Sequence, residues 1–181
     1  MPSVERGWIA GARRVPSPNC DSRPAGCAVS LLLLHSISLP RGVYGGDPVE
    51  RLFTNRLDPA AHPSFAELAG LRVSAHFLVR RDGELIQFVA LERRAWHAGA
   101  SRWRGRERCN DFSAGVELEG TDDGRFETAQ YETLFLLLKK LQRALPLRDI
   151  AAHSDVARGR KTDPGAQFDW ARLLAELARA P

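Results

Sequence analysis

Two periodicities alternate along the chain. Val29-Ser30-Leu31-Leu32-Leu33-Leu34 is a short apolar run bounded by loop signals, and it reads as a buried strand. Residues 73–79, 84–90, 114–119 and a stretch near 149–153 read as further strands, with Asp82-Gly83 as the turn of a hairpin. Residues 128–145 instead place Tyr131, Leu134, Phe135, Leu138, Leu141 and Leu145 at three- and four-residue steps, one apolar helix face that should pack on the sheet. A second helix is expected over 168–180, with Trp170, Leu173, Leu174 and Leu177 on one side. Between 36 and 70 lies a Pro/Gly-rich loop with short helical pieces around 49–53 and 65–68. The pattern predicts an α/β fold. It is a single domain over residues 1–181, with its core at about 28–178 and a mixed central β-sheet flanked by helices.

Composition narrows the function classes. A length of 181 residues suits one domain with a proper core. The pI of 9.3 raises a nucleic-acid reading, but the net charge is only +4 and acidic residues are interspersed throughout, which argues against it. Residues 1–14 lack a long apolar h-region, and no apolar stretch approaches the roughly 20 residues needed to span a bilayer. A cytoplasmic protein without a membrane partner, and a monomer, is the expectation. Cys20, Cys27 and Cys109 are odd in number and form no CxxC pair, so reduced thiols are the simplest account.

Candidate chemistry concentrates between His153 and Gly165, where the chain reads H-S-D-V-A-R-G-R-K-T-D-P-G. His153 and Asp163 can both bind a metal, and Lys161 can set a positive charge beside it. Zinc is the natural candidate, since catalytic zinc is commonly held by three His/Asp/Glu/Cys ligands and a water. His35, closing the apolar run and aimed at the sheet's rim, is the leading third ligand, with His76 as the substitute. Glu117 and Glu119 share one face of a strand, and an inward carboxylate is costly without a partner or a job. Plainer readings exist for each: a hydrogen-bonded rim histidine, a surface turn at Asp163-Pro164-Gly165, a salt-bridged Glu117. Arg102, Arg104, Arg106 and Arg108 alternate with other residues and can present a positive face to an anion.

The ordered motifs carry a resemblance. His35, the run from Arg72 to Phe77, Arg81-Asp82-Gly83-Glu84, Ala95-Trp96-His97-Ala98-Gly99, the stretch from Gly105 to Ser113, Gly115-Val116-Glu117-Leu118-Glu119-Gly120 and Arg160-Lys161-Thr162-Asp163-Pro164-Gly165 resemble the zinc N-acetylmuramoyl-L-alanine amidases, in order and over nearly the whole chain. Within these the chain looks like the cytoplasmic anhydro-N-acetylmuramyl-L-alanine amidases of peptidoglycan recycling. The resemblance implies that His35, His153 and Asp163 bind zinc, that Glu117 is the acid/base carboxylate, and that Lys161 supports the transition state. It implies a small muropeptide as substrate and, by limiting such fragments, control of β-lactamase induction. Trp96 and His97 would form a substrate wall, and Arg72 and Arg108 a clamp for peptide carboxylates. Tyr44, in a glycine-rich stretch that allows a lid, can reach the site. Ser36 departs from the family's usual asparagine, which puts sugar or peptide binding in question and leaves the zinc chemistry untouched. Two other readings stay open at this point: an amidase of intact peptidoglycan, and a peptidoglycan-binding module without catalysis.

Overall fold

Leu31 to Leu34 have no polar face because the strand they form is covered on both sides. In the computed structural model, which describes residues 4–179, the central sheet contains β1 (Arg13–Arg14), β2 (Leu31–Ile37), β3 (Phe77–Val79), β4 (Leu85–Gln87), β5 (Ser113–Glu119) and β6 (Asp149–Ala152). Their spatial order is β6-β2-β5-β3-β4-β1. β2 lies between β6 and β5 and is parallel to both, and β5 is also parallel to β3. The β3–β4 hairpin is antiparallel, and β1 joins β4 in parallel, so the sheet is mixed, as the pattern predicts.

One face carries Leu32, Leu34, Phe77, Val79, Val116 and Leu118 and is packed by α2 (Thr128–Ala144) and α4 (Trp170–Ala178). Tyr131, Leu134, Leu138 and Leu141 of α2 are buried as its spacing requires. The opposite face is divided. Leu78 and Ile86 pack against α1 (Pro48–Phe53), while Leu31, Leu33 and Ala151 pack against Ala98, Cys109, Phe112 and the short helix α3 (His153–Val156). A 3-10 turn at Pro63–Leu68 completes the loop between 36 and 70, so both expected helical pieces are present. Cys20, Cys27 and Cys109 are free thiols.

Several elements differ from the pattern. The expected strand over 73–79 is regular only at Phe77–Val79, because the stretch before it is bonded irregularly: Ser74 N donates to Trp96 O and His76 N to Gly115 O. The strand expected over 84–90 is likewise reduced to Leu85–Gln87. The second helix begins at Trp170, not residue 168, because Asp169 caps it by accepting from Arg172 N, and Leu174 is 58% exposed, off the buried side. Its expected end at Ala180, like residues 1–3 and 181, lies outside the described residues.

Helix α2 is joined to the sheet by one buried amide. Gln130 accepts from Glu127 N (3.0 Å) and donates to the carbonyls of Val79 (3.2 Å) and Glu119 (3.1 Å), which end β3 and β5. Replacing it by a hydrocarbon strands these buried groups. Gln130→Leu is expected to lower unfolding stability by about 2–3 kcal/mol, read as a lower urea midpoint with unchanged slope.

Candidate metal centre and active site

Strand register assembles most of the site. Glu117 pairs with His35 across β5–β2, and Ala152 pairs with Leu34 across β6–β2, so His153 follows at the level of His35. His153, His35 and Glu117 therefore stand side by side on adjacent parallel strands, spaced by about 4.8 Å per strand, at the carboxyl ends where open α/β sheets place ligands. The fourth group arrives from a loop. Asp163 is held there by Ser154 N, which donates to Asp163 O (3.0 Å), and by Gly165, whose Cα packs so closely on the Asp122 backbone that a Cβ would stand 1.8 Å from its carbonyl oxygen.

His35 is 1% exposed and lies inside β2, not at a rim, because the strand continues to Ile37. Its Nδ1 is 2.9 Å from His153 Nδ1 and 3.1 Å from Asp163 Oδ2, and His153 Nδ1 is 3.0 Å from the same oxygen. His153 Nε2 lies 3.1 Å from Ala98 O. A carbonyl only accepts, so the proton of the neutral ring sits on Nε2 and the lone pair of Nδ1 faces Asp163. The three atoms thus form a triangle that one cation can bridge. Donors about 2.0–2.1 Å from a shared tetrahedral ion stand about 3.3–3.4 Å apart, and the observed triangle is only slightly tighter. His35, His153 and Asp163 fit a divalent metal.

Electrostatics agree. Burial, which disfavours the imidazolium, pushes the His35 pKa down to about 4 against the pull of Asp163. Burial alone would raise the Asp163 carboxyl, but the contacts with His153 and His35 outweigh it and hold the group below the usual carboxylate range. Glu117 behaves oppositely. Burial first, then the Asp163 charge, raises its pKa well above the ordinary value, while Lys161 pulls it down. Its Oε2 is buried without a hydrogen-bond partner among the described residues. Glu119, two residues on, is saturated: it accepts from Gly45 N (2.7 Å), Arg80 Nη1 (3.3 Å) and Arg81 N (3.1 Å). The salt-bridge reading applies to Glu119 and not to Glu117.

A model of the N-acetylmuramoyl-L-alanine amidase family matches residues 27–166. The chain belongs to this family. The 1,6-anhydro-N-acetylmuramyl-L-alanine amidase AmpD of Escherichia coli (strain K12) is 54% identical over 178 residues, 97% of this chain and 97% of that protein. The crystal structure of an Se-Met AmpD derivative matches with a TM-score of 0.94 at 52% identity, covering 96% of this chain and 98% of that one. The E. coli amidase AmiD, solved in complex with the substrate anhydro-N-acetylmuramic acid-L-Ala-D-gamma-Glu-L-Lys, matches with a TM-score of 0.61 at 30% identity, covering 85% of this chain and 60% of that one.

Around the amidase centre, a cleft of about 370 Å³ is lined by Ser36, Arg41, Asp122, Lys161, Thr162 and Asp163, among others. Ser36 and Lys161, both singled out in the motifs, line it. Arg41 and Asp122 carried no signal in the sequence and meet there as an ion pair at 2.7 Å. The other expected binding residues are dispersed. Tyr44 does not line the cleft; the Arg81 guanidinium lies 4.4 Å over its ring. Arg72 is exposed beside a small hollow with Leu52 and Asn55, and Arg108 is paired with Asp111 Oδ2 at 3.3 Å. Arg104, paired with Asp149, and Arg106, over Phe112, line one hollow, while Arg102 and Arg108 line another with Arg158 and Arg160, so the alternating arginines divide between two places. Trp96 is partly buried, with its backbone clasped to Ser74. The partly buried His97 stands beside His35, its Nδ1 2.9 Å from His35 Nε2. A larger hollow of about 560 Å³, lined by Cys27, Trp103 and Arg148, lies at the other end of β2 and holds none of these groups. Among the described residues, no helix is long and apolar enough to cross a membrane.

His76 is fully buried and is not in the triangle. Its Nδ1 accepts from Gly115 N (3.1 Å), while Nε2 faces Arg93 O (3.1 Å) and Arg23 Nη2 (3.0 Å). Burial, then the Arg23 charge, pushes its pKa down to about 3. The unfolded chain therefore binds more protons than the native one between about pH 3 and 6.5, and stability rises with pH across that window. Urea midpoints of metal-free protein should fall as pH is lowered from 7 to 5, and fall less steeply in His76→Asn. Asp163→Ala and His153→Ala should each retain no stoichiometric metal after dialysis, by elemental analysis, whereas Glu117→Gln should retain it.

Proposed function

We propose that this amidase is a zinc enzyme that hydrolyses the amide between the lactyl group of anhydro-N-acetylmuramic acid and the L-alanine of a stem peptide. The observation that carries this reading is the meeting of a cation-fitting His35/His153/Asp163 triangle with an unpartnered, buried Glu117 carboxyl. End-to-end likeness to AmpD supports the substrate.

His35, His153 and Asp163 would hold the zinc through two imidazoles and one carboxylate. Zinc bound there supplies a Lewis acid that polarises the amide carbonyl and acidifies water. Glu117, whose proton affinity is raised by burial, takes a proton from the attacking water. Hydroxide adds to the carbonyl carbon, the C–N bond breaks, and the same carboxyl delivers its proton to the departing L-alanine nitrogen. The products are a lactyl carboxylate and a free peptide amine. Lys161, exposed at the cleft, places its ammonium toward the oxygen that gains charge. Of the expected binding residues Ser36 lines this cleft, and Trp96 and His97 are proposed as the wall for the sugar, Arg72 and Arg108 as the clamp for peptide carboxylates and Tyr44 as a lid residue, each from its motif position.

In this reading the chain is one amidase domain with its core at 28–178. It acts as a monomer in the cytoplasm, on soluble fragments, and it limits the muropeptides that induce β-lactamase.

Purified protein should release tripeptide and anhydro-N-acetylmuramic acid from anhydromuramyl-tripeptide, stop on chelation and resume with zinc, by mass spectrometry. Glu117→Gln should lower kcat by about 10²–10⁴-fold with zinc retained. Release from sacculi but not from the soluble fragment would indicate an intact-wall amidase. No release from folded, zinc-loaded protein would indicate a binding module.

A further inference from the structure

The proposed metal reading leaves His97 without a task, yet it is one of the most constrained side chains near the site. Its Nδ1 lies 2.9 Å from His35 Nε2, the ring nitrogen on the far side from the His153/Asp163 triangle, and its Nε2 lies 3.3 Å from Ser113 Oγ. The ring stands edge-on to His35, with centroids 5.0 Å apart. It occupies space that only a glycine leaves on β5: a Cβ at Gly115 would stand 2.6 Å from the ring.

The backbone beneath the ring is pinned as tightly. Asn110 Oδ1 accepts from both His97 N (3.2 Å) and Ala98 N (2.8 Å). Arg23 in turn donates to the carbonyls of Asn110 (2.9 Å), Asp111 (3.0 Å) and Ser113 (2.9 Å). Ala98 O, the next carbonyl, accepts from His153 Nε2 (3.1 Å) and from Arg160 Nη2 (2.7 Å). Two consecutive residues thus face the outer nitrogens of both histidines in the triangle.

A histidine can offer Nδ1 to a metal only as a lone pair, which requires its proton on Nε2, and that proton requires an acceptor. For His153 the acceptor is a carbonyl. For His35 the acceptor within reach is His97 Nδ1, while the Nε2–H of His97 is directed to Ser113 Oγ. We propose that His97 is a positioning residue that receives the Nε2 proton of His35 and so fixes the tautomer and ring angle with which His35 presents Nδ1 to the metal, the relay being seated by Asn110 and by the missing side chain at Gly115. This rests on the triangle being a metal site.

The test compares wild type, His97→Leu and His97→Asn, reading cobalt(II) affinity by chelator competition, the visible cobalt(II) absorption, and thermal unfolding of the metal-free proteins. Asparagine Oδ1 sits near the place of histidine Nδ1 and keeps the acceptor; leucine removes it. His97→Leu should bind cobalt about 10–100-fold more weakly, with an altered visible spectrum, and His97→Asn should stay near wild type in both. Equal affinity in wild type and His97→Leu, or equal loss in both variants, would overturn the assignment. Absence of stoichiometric cobalt from wild type itself would instead overturn the metal reading. If His97→Leu does not fold, Gly115→Ala takes its place: it displaces the ring with every polar atom retained and should alter the cobalt spectrum, and an unaltered spectrum would sink the relay.

Discussion

The parallel register of β2 with β5 and β6 is the constraint on which the rest depends. It sets Glu117 opposite His35 and brings His153 level with both. A slip of one residue would turn every side chain of a strand to the other face, exchanging His35 for Leu34 and Glu117 for Val116. The helical face opposes such a slip, since Leu32, Leu34, Val116 and Leu118 are all at most 1% exposed, and each fully buried leucine contributes about 1.5–3 kcal/mol. Hydrophobic packing on one side of the sheet thereby holds the polar groups in line on the other.

That polar side is kept from collapse by satisfying its groups one by one. Glu119, His76 and Asn110 each meet several partners, so burial costs little where the hydrogen bonds are complete. Two features fall together: the His35/His153/Asp163 triangle can hold a cation, and Glu117 has an oxygen without a partner among the described residues. An incompletely satisfied cluster at the end of a well-packed sheet is the signature of groups kept for a ligand and a reaction.

The candidate site divides between rigid and adjustable parts. The three histidine and glutamate positions ride on strands or on a strand end. Asp163 and Lys161 ride on a loop fastened by Ser154 and by the contact of Gly165 with Asp122. Around the cleft stand longer segments, where Arg41 reaches across to Asp122 and Tyr44 lies under Arg81. The buried groups of the site are held by the core, and the residues around the cleft sit on loops that can vary without disturbing it.

Sequence alone determined the order of the longer strands and helices, though not the edge strand Arg13–Arg14 or the short helix His153–Val156, together with the two-faced character of 114–119 and the identity of the groups in the cluster. These follow from local periodicity and from motif order, both of which are properties of short segments. It overstated the strands at 73–79 and 84–90, because regular pairing depends on a neighbour that no local pattern reveals. Only the tertiary structure decided that His35 lies inside its strand, that Glu117 stays unpaired while Glu119 is saturated, and that His97 meets His35. It also decided that Arg72 and Arg108 stand apart from the cleft. Those outcomes depend on contacts between residues tens of positions apart, where strand register, a missing Cβ at Gly115 and the reach of Arg23 and Arg160 select one arrangement among several that the same motifs allow.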